Sequence, residues 1–150
     1  MPDYLTPEQR SIQMGKIRGK NTKPETIVYR YLRNQKIYFQ KHYRTKFGFV
    51  VDIALPRKKR VVFIDGDFWH GRTVGRLVER RGKEDFWTKK ILRNVERDLE
   101  QAELMESEGW SIVRVWSSEL MRVSTRESKL EEIGEFLLNG FRHQRAGESS

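Results

Sequence analysis

The chain has 150 residues, 37% hydrophobic, 34% charged and 11% aromatic, enough for one folded domain with a sizeable core and too rich in core formers for a disordered chain. Its formal net charge of +9 is uneven: residues 1–60 carry 15 Lys and Arg against 4 Asp and Glu, whereas residues 61–150 carry 15 against 17, so one half forms a polyanion-binding face. Cysteine is absent, which excludes a disulfide framework, a thiol nucleophile and a thiolate metal site, and no run approaches the roughly 18 apolar residues of a membrane span.

Nucleic acid suits this charge distribution better than a membrane surface. Residues 1–6 lack an apolar core, so no signal peptide is expected and a cytoplasmic location is. Thr6-Pro7-Glu8-Gln9 combines a cap residue, proline at the first helical position and Gln three residues after the cap, predicting a helix over about residues 7–18. Thr22-Lys23-Pro24-Glu25 repeats the device and predicts a second helix over about 24–35, with Ile27, Val28, Tyr31 and Leu32 on an apolar stripe. Glu25 falls where a capping box places its acid, an ordinary structural origin for it.

Strands are expected over residues 38–43, 49–55 and 60–65, the last buried on both faces because VVFI is continuous. Residues 71–83, GRTVGRLVERRGK, show no clear periodicity and read as a mobile loop near the nucleic acid. Asp85 caps a long helix over about 86–108, with Trp87, Ile91, Val95, Leu99 and Ala102 as a core stripe. Beside that stripe runs a polar row of Lys90, Asn94 and Asp98, with Arg97 close by. Gly109 ends the helix, WSIVRVW over 110–116 predicts a fourth strand, and a last helix follows over about 125–141. With no repeat or linker, the expectation is a single domain with its core at about 7–141 and a polar tail at 142–150.

The densest chemistry lies in FIDGDFWHG, residues 63–71, which sets two carboxylates, two large aromatics and a histidine at the end of an apolar strand. Asp52 is the only polar residue of FVVDIAL, and an ionised carboxylate there is costly unless paired or bound to a cation. A tight turn centred on Lys58 and Lys59 would make Asp52 and Asp65 direct cross-strand neighbours, with Cβ atoms roughly 4.5–5.5 Å apart. Such like charges call for a metal ion between them. The alternative is plain turn chemistry for Asp65-Gly66 and a hydrogen-bonded buried acid at Asp52. His70 follows the acidic pair, and imidazole can accept or donate a proton near neutral pH. Asp98 is its natural partner, the alternative being a His70 that packs on Trp69. His42 and His143 lack a carboxylate-rich context and read as surface or incidental residues.

The succession RSIQMGKIRGKNTKPE, FVVDIAL, VVFIDGDFWHG, FWTKKILRNVERD and GWSIVRVW resembles the very short patch repair (Vsr) DNA endonucleases, of the PD-(D/E)xK-like superfamily, over about residues 10–119. Homing endonucleases with an E, D, H, D catalytic set are a second match. The resemblance implies a single-domain restriction-endonuclease-like α/β fold with a mixed central sheet flanked by helices, acting on double-stranded DNA as a monomer. It implies magnesium, with manganese as a possible substitute, held by Asp52 and the Ile64 backbone carbonyl. Asp65 is a secondary ligand, because many members carry histidine at that position. His70, oriented by Asp98, would activate water or assist proton transfer, and Glu25 matches the acid on the family's N-terminal helix. Phe68, Trp69 and Trp87 match aromatics that wedge into the DNA stack. Lys58 and Lys59, in the basic half of the chain, are expected to contact DNA on charge alone. The positions of the family's structural zinc ligands are Asp67, Arg72, Val74 and Ser118 here, so no structural zinc is expected. The activity implied is strand nicking at mismatched or distorted duplex that leaves a 5′-phosphate. The competing readings are a site-specific homing or restriction-like endonuclease, a non-catalytic DNA-binding module and an RNA-directed protein.

Overall fold

The computed structural model describes residues 22–140. The helix expected over 7–18, the polar tail and His143 lie outside the described residues. Helix α1 (Lys23–Asn34) leads to strands β1 (Gln40–Arg44) and β2 (Val50–Leu55), a 3-10 turn (Pro56–Lys58) and β3 (Arg60–Asp65). Helices α2 (Val74–Arg81) and α3 (Phe86–Ser107) then cross to β4 (Ser111–Trp116), which is followed by α4 (Ser117–Met121) and α5 (Val123–Asn139). The sheet order is β1-β2-β3-β4, antiparallel for the first two pairings and parallel for β3 with β4. This is the mixed, helix-flanked α/β architecture that the sequence implies.

Strand β3 is buried on both faces, as its continuous apolar run requires. Val62 and Ile64 join a core with Val28 and Leu32 of α1 and Ile133, Phe136 and Leu137 of α5. Val61 and Phe63 face the other way, with Val51, Ala54 and Met105. Asp65 therefore sits where a fully buried strand runs out of core, itself only 5% exposed.

The β2–β3 register differs from the sequence expectation. Ile53 faces Val62 and Leu55 faces Arg60, so Asp52 is displaced from Asp65 and lies level with Phe63. The cause is the connection. Pro56, with its fixed φ, opens the 3-10 turn, and Lys59 closes it in the left-handed region at φ 53°, giving a longer link than a two-residue turn on Lys58 and Lys59. The Lys59 ammonium donates to the Glu108 carbonyl at 2.8 Å, and the Ser111 amide donates to the Lys59 carbonyl at 2.8 Å, which ties the turn to the end of α3.

Three further expectations are corrected. The segment read as a loop contains α2, whose Val74, Leu77 and Val78 recur at helical spacing and lie half-buried on the side that meets α3. Gly82, at φ 81°, ends it. On α3 the interior stripe includes Ile91 and reaches Met105, while Leu99 is 63% exposed and lines an open cleft between α3 and β4. At the start of α1, Thr22 makes no side-chain cap bond and Glu25 is buried rather than closing a capping box. No described helix is long and apolar enough to cross a membrane.

Candidate active site

At one end of the sheet, a cavity of about 330 Å³ is lined by Glu25, His42, Asp52, Asp65, His70 and Asp98. Sequence elements far apart meet here because β2 and β3 deliver Asp52 and Asp65, the turn after β3 delivers His70, and α3 crosses above with Asp98.

Asp52 accepts a hydrogen bond from the Ile64 amide through Oδ2 at 2.7 Å. Burial pushes its pKa up from 3.8 to about 7; the Ile64 bond opposes this, and the negative charges of Glu25 and Asp65 add to the rise. An acid in this condition is poised to bind a cation, which would return it to its charged form.

His70 points Nδ1 at Asp98 Oδ2, 2.6 Å away, and lies 3.7 Å from Asp65 Oδ1. With Nδ1 donating to Asp98, Nε2 is left as the acceptor that a proton transfer needs. Two hydrogen bonds fix the loop. The His70 amide donates to Gly66 at 3.0 Å, and Asn94 of the polar row on α3 donates to the Trp69 carbonyl at 2.9 Å.

Asp65 is occupied by a neighbour that sequence reasoning missed. Arg114 Nη1 of β4 donates to both its carboxylate oxygens at 2.9 Å, its guanidinium lies 4.1 Å from the centre of the Phe63 ring, and its Nη2 is 4.0 Å from Asp98 Oδ1. Arg114 thus balances two carboxylates beside His70. On the other flank, Glu25 Oε2 accepts from the Tyr29 hydroxyl at 3.1 Å and lies 3.1 Å from His42 Nε2. Burial and the Glu25 charge push the Tyr29 phenol upward, so it stays a donor. His42 is therefore no incidental surface residue: the fold turns it into the cavity, against a carboxylate that lies 17 positions away in the chain.

Phe68, Trp69 and Trp87 form one surface cluster, with ring centroids 5.2 Å apart for Phe68 and Trp69 and 5.9 Å apart for the two tryptophans. Phe68 is 43% exposed and stands furthest out. Lys58 and Lys59 are not brought to the cavity. They lie at the opposite end of β3 from Asp65, a strand's length of roughly 17 Å away.

Asp67, Arg72 and Ser118, three of the positions matched to zinc ligands, meet one another. Arg72 donates to Asp67 at 2.9 Å and to the Ser118 hydroxyl at 2.8 Å, while the Ser118 hydroxyl and amide donate to Asp67 at 2.6 and 3.0 Å. Partial burial disfavours the Asp67 charge, but the Ser118 and Arg72 bonds outweigh it and hold the carboxyl below its usual range. A folded pKa below the unfolded one adds stability that is present above the ordinary carboxylate range and lost as pH falls through the folded value. Asp67→Asn is accordingly expected to cost about 1 kcal/mol at pH 7 in a thermal melt. That difference should shrink below about pH 4, where the parent residue also loses its charge. A cost independent of pH would show that the charge contributes nothing.

The donor set in the cavity, carboxylates and imidazoles with no sulfur, suits a hard cation. Among the described residues no three His, Asp or Glu side chains are disposed to enclose a metal ion. This still fits magnesium, which keeps several waters and is commonly held by one or two carboxylates together with substrate phosphates.

A mixed α/β sheet carrying an acid on a central strand, a histidine just past the next strand and a helix-borne aspartate behind it defines a nuclease of the restriction-endonuclease-like class. The family model for DNA mismatch endonuclease Vsr matches residues 2–76. Among curated relatives, Type II nicking enzyme V.NmeDIP of Neisseria meningitidis serogroup C is 36% identical over 124 residues, 82% of this chain and 83% of its own. Type II nicking enzyme V.HpaIIP of Haemophilus parainfluenzae is 37% identical over 122 residues, 80% of this chain and 86% of its own. DNA mismatch endonuclease Vsr of Escherichia coli K12 is 28% identical over 139 residues, 91% and 88% of the two chains. The chain belongs to the Vsr family of DNA endonucleases, as its motifs imply.

Proposed function

We propose that the protein nicks one strand of duplex DNA at a mismatched or distorted site, in a magnesium-dependent hydrolysis that leaves a 5′-phosphate. One observation carries this reading: Asp52, Glu25 and the His70–Asp98 pair, scattered over 74 positions of sequence, line a single cavity beside exposed aromatics. Asp52 and the Ile64 carbonyl would hold magnesium, or manganese in its place, and Asp65, already clasped by Arg114, orients its neighbours rather than ligating. The metal would polarise the phosphate and stabilise the oxyanion that develops. His70 Nε2 takes the proton of the attacking water, and Asp98 holds the imidazole and balances its charge.

Phe68, at the edge of the aromatic cluster, enters the stack and offsets the cost of distorting the duplex, with Trp69 and Trp87 behind it. The protein works as a monomeric domain on cytoplasmic DNA. The name DNA mismatch endonuclease carried by one relative supports the mismatch reading, and the name Type II nicking enzyme carried by the others supports single-strand cutting.

The test is a nicking assay in magnesium across perfect, mismatched and branched duplexes, using the parent protein and Phe68→Ala. The parent is expected to prefer mismatched or branched substrates. The variant should lose more on perfect duplex than on pre-distorted duplex, by on the order of 10-fold, since stacking is worth roughly 1 to 3 kcal/mol per base. Equal parental cutting of perfect and mismatched duplex at one defined sequence would instead establish a site-specific endonuclease.

A further inference from the structure

His42 occupies an unusual place in β1. Its φ is +52°, in the left-handed region that costs a residue with a Cβ roughly 1–2 kcal/mol and that recurs where function over-determines the backbone. The register pairs Lys41 with Ile53 and Tyr43 with Val51, so His42 stands level with Asp52 on the next strand. Both strands change face at this step. On one side of it Ile53 packs in the α1 core and Lys41 lies over the Tyr29 ring, 5.3 Å from its centre. On the other side Val51 and Tyr43 pack with Met105, although residues two apart in a regular strand share a face. The irregularity turns the imidazole toward Glu25. Tyr29, stacked on Phe39 with ring centroids 5.5 Å apart, braces that carboxylate.

The sheet therefore carries two histidine–carboxylate pairs, one on each side of Asp52. His42–Glu25 comes from β1 and α1, and His70–Asp98 from the end of β3 and α3. Hydrolysis of a phosphodiester needs two proton transfers, one from the entering water and one to the departing oxygen, on opposite sides of phosphorus.

We propose that His42, oriented by Glu25 and Tyr29, is the general acid that protonates the leaving 3′-oxygen, while His70 takes the proton of the attacking water. This rests on the nuclease reading above. The water oxygen bonds to phosphorus, the P–O3′ bond breaks with its electron pair going to O3′, and the proton on His42 passes to that oxygen. The products are a 5′-phosphate, a 3′-hydroxyl, a neutral His42 and a protonated His70, which exchange with solvent before the next turnover.

The test compares the parent protein, His42→Asn, His42→Ala and His70→Ala on a mismatched duplex whose scissile linkage carries either 3′-oxygen or 3′-sulfur. Asn tolerates the left-handed backbone, so His42→Asn preserves the strand where Ala strains it, and thermal melts verify that each variant is folded. On the oxygen substrate the single-turnover rate of both His42 variants should fall by on the order of 10² to 10³. A 3′-thiolate departs without a proton, so on the sulfur substrate they should come within about 3-fold of the parent, while His70→Ala keeps its full loss. Equal losses on both substrates, or His42→Asn near the parental rate on oxygen, overturn the inference and leave the nuclease reading standing. A parent protein that nicks neither duplex overturns both.

Discussion

Replacing Asp52 with Asn is expected to abolish cleavage and, at neutral pH, to raise the melting temperature of the metal-free protein. The two effects share a cause. Asp52 sits in the sheet with its pKa pushed up from 3.8 to about 7, first by burial and then by the charges of Glu25 and Asp65. Because the folded value lies above the unfolded one, the folded protein binds the extra proton between about pH 4 and pH 7. Stability from this residue therefore falls as pH rises through that window, and the cost is complete above about pH 7. The whole rise would correspond to ~4 kcal/mol at 1.36 kcal/mol per pH unit; because Asp52 is only half-buried and solvent screens its charge, the expected gain on removing that charge is about 2 kcal/mol. For a chain of this size that is roughly 4–8 °C in melting temperature at pH 8, shrinking toward zero near pH 4. Asn keeps an acceptor for the Ile64 amide, so the strand is not left with an unmet donor. Magnesium should raise the melting temperature of the parent protein and leave Asp52→Asn unmoved, because only a ligand that binds the native state stabilises it. DNA affinity should stay within a few-fold, since phosphate contacts supply most of it. A variant that melts lower than the parent at pH 8 would refute the buried-charge cost, and one that still nicks, or whose melting temperature magnesium still raises, would remove Asp52 from the metal site.

What could be read from sequence divides along physical lines. The strands were legible to within two residues because their apolar runs are bounded by turn residues. Asp98 was legible because it falls on a polar row at i, i+4 spacing beside a buried stripe, and that row also supplies Asn94 to the Trp69 carbonyl. Register was not legible. It depends on whether Pro56 to Lys59 folds as a two-residue turn or as a 3-10 turn, and both accommodate the same residues. The Arg114–Asp65 clasp was hidden in a strand whose alternation accounted for every residue without it. His42 was the hardest: its partner is on another element, and nothing in QKHYR announces a left-handed residue inside a strand. One signal was available. A histidine two strand-lengths before a buried aspartate, across a Gly-containing turn, is a candidate cross-strand neighbour once the hairpin is drawn.

The second large effect concerns His70 and Asp98. His70→Ala should lower the single-turnover nicking rate by on the order of 10² to 10⁴, the range that a positioned proton-transfer group contributes. Asp98→Asn should fall in the same direction by a smaller factor, because the amide can still meet Nδ1 but cannot balance the charge of the protonated ring. Arg114 makes the second variant informative. Its Nη2 is 4.0 Å from Asp98 Oδ1 and its Nη1 is committed to Asp65, so removing the Asp98 charge leaves a guanidinium near the imidazole with one carboxylate fewer to offset it. Part of the Asp98→Asn loss should therefore be electrostatic, because the uncompensated guanidinium opposes the positive charge that forms on His70 as it takes the proton. Coupling decides whether the pair acts as one unit. If it does, the double variant loses little more than His70→Ala alone, and the interaction free energy is close to the whole Asp98→Asn effect. Losses that add in free energy would mean that Asp98 serves the fold or the DNA contact independently of His70. The 2.6 Å contact would then be a part-buried ion pair that serves only to hold the loop against α3.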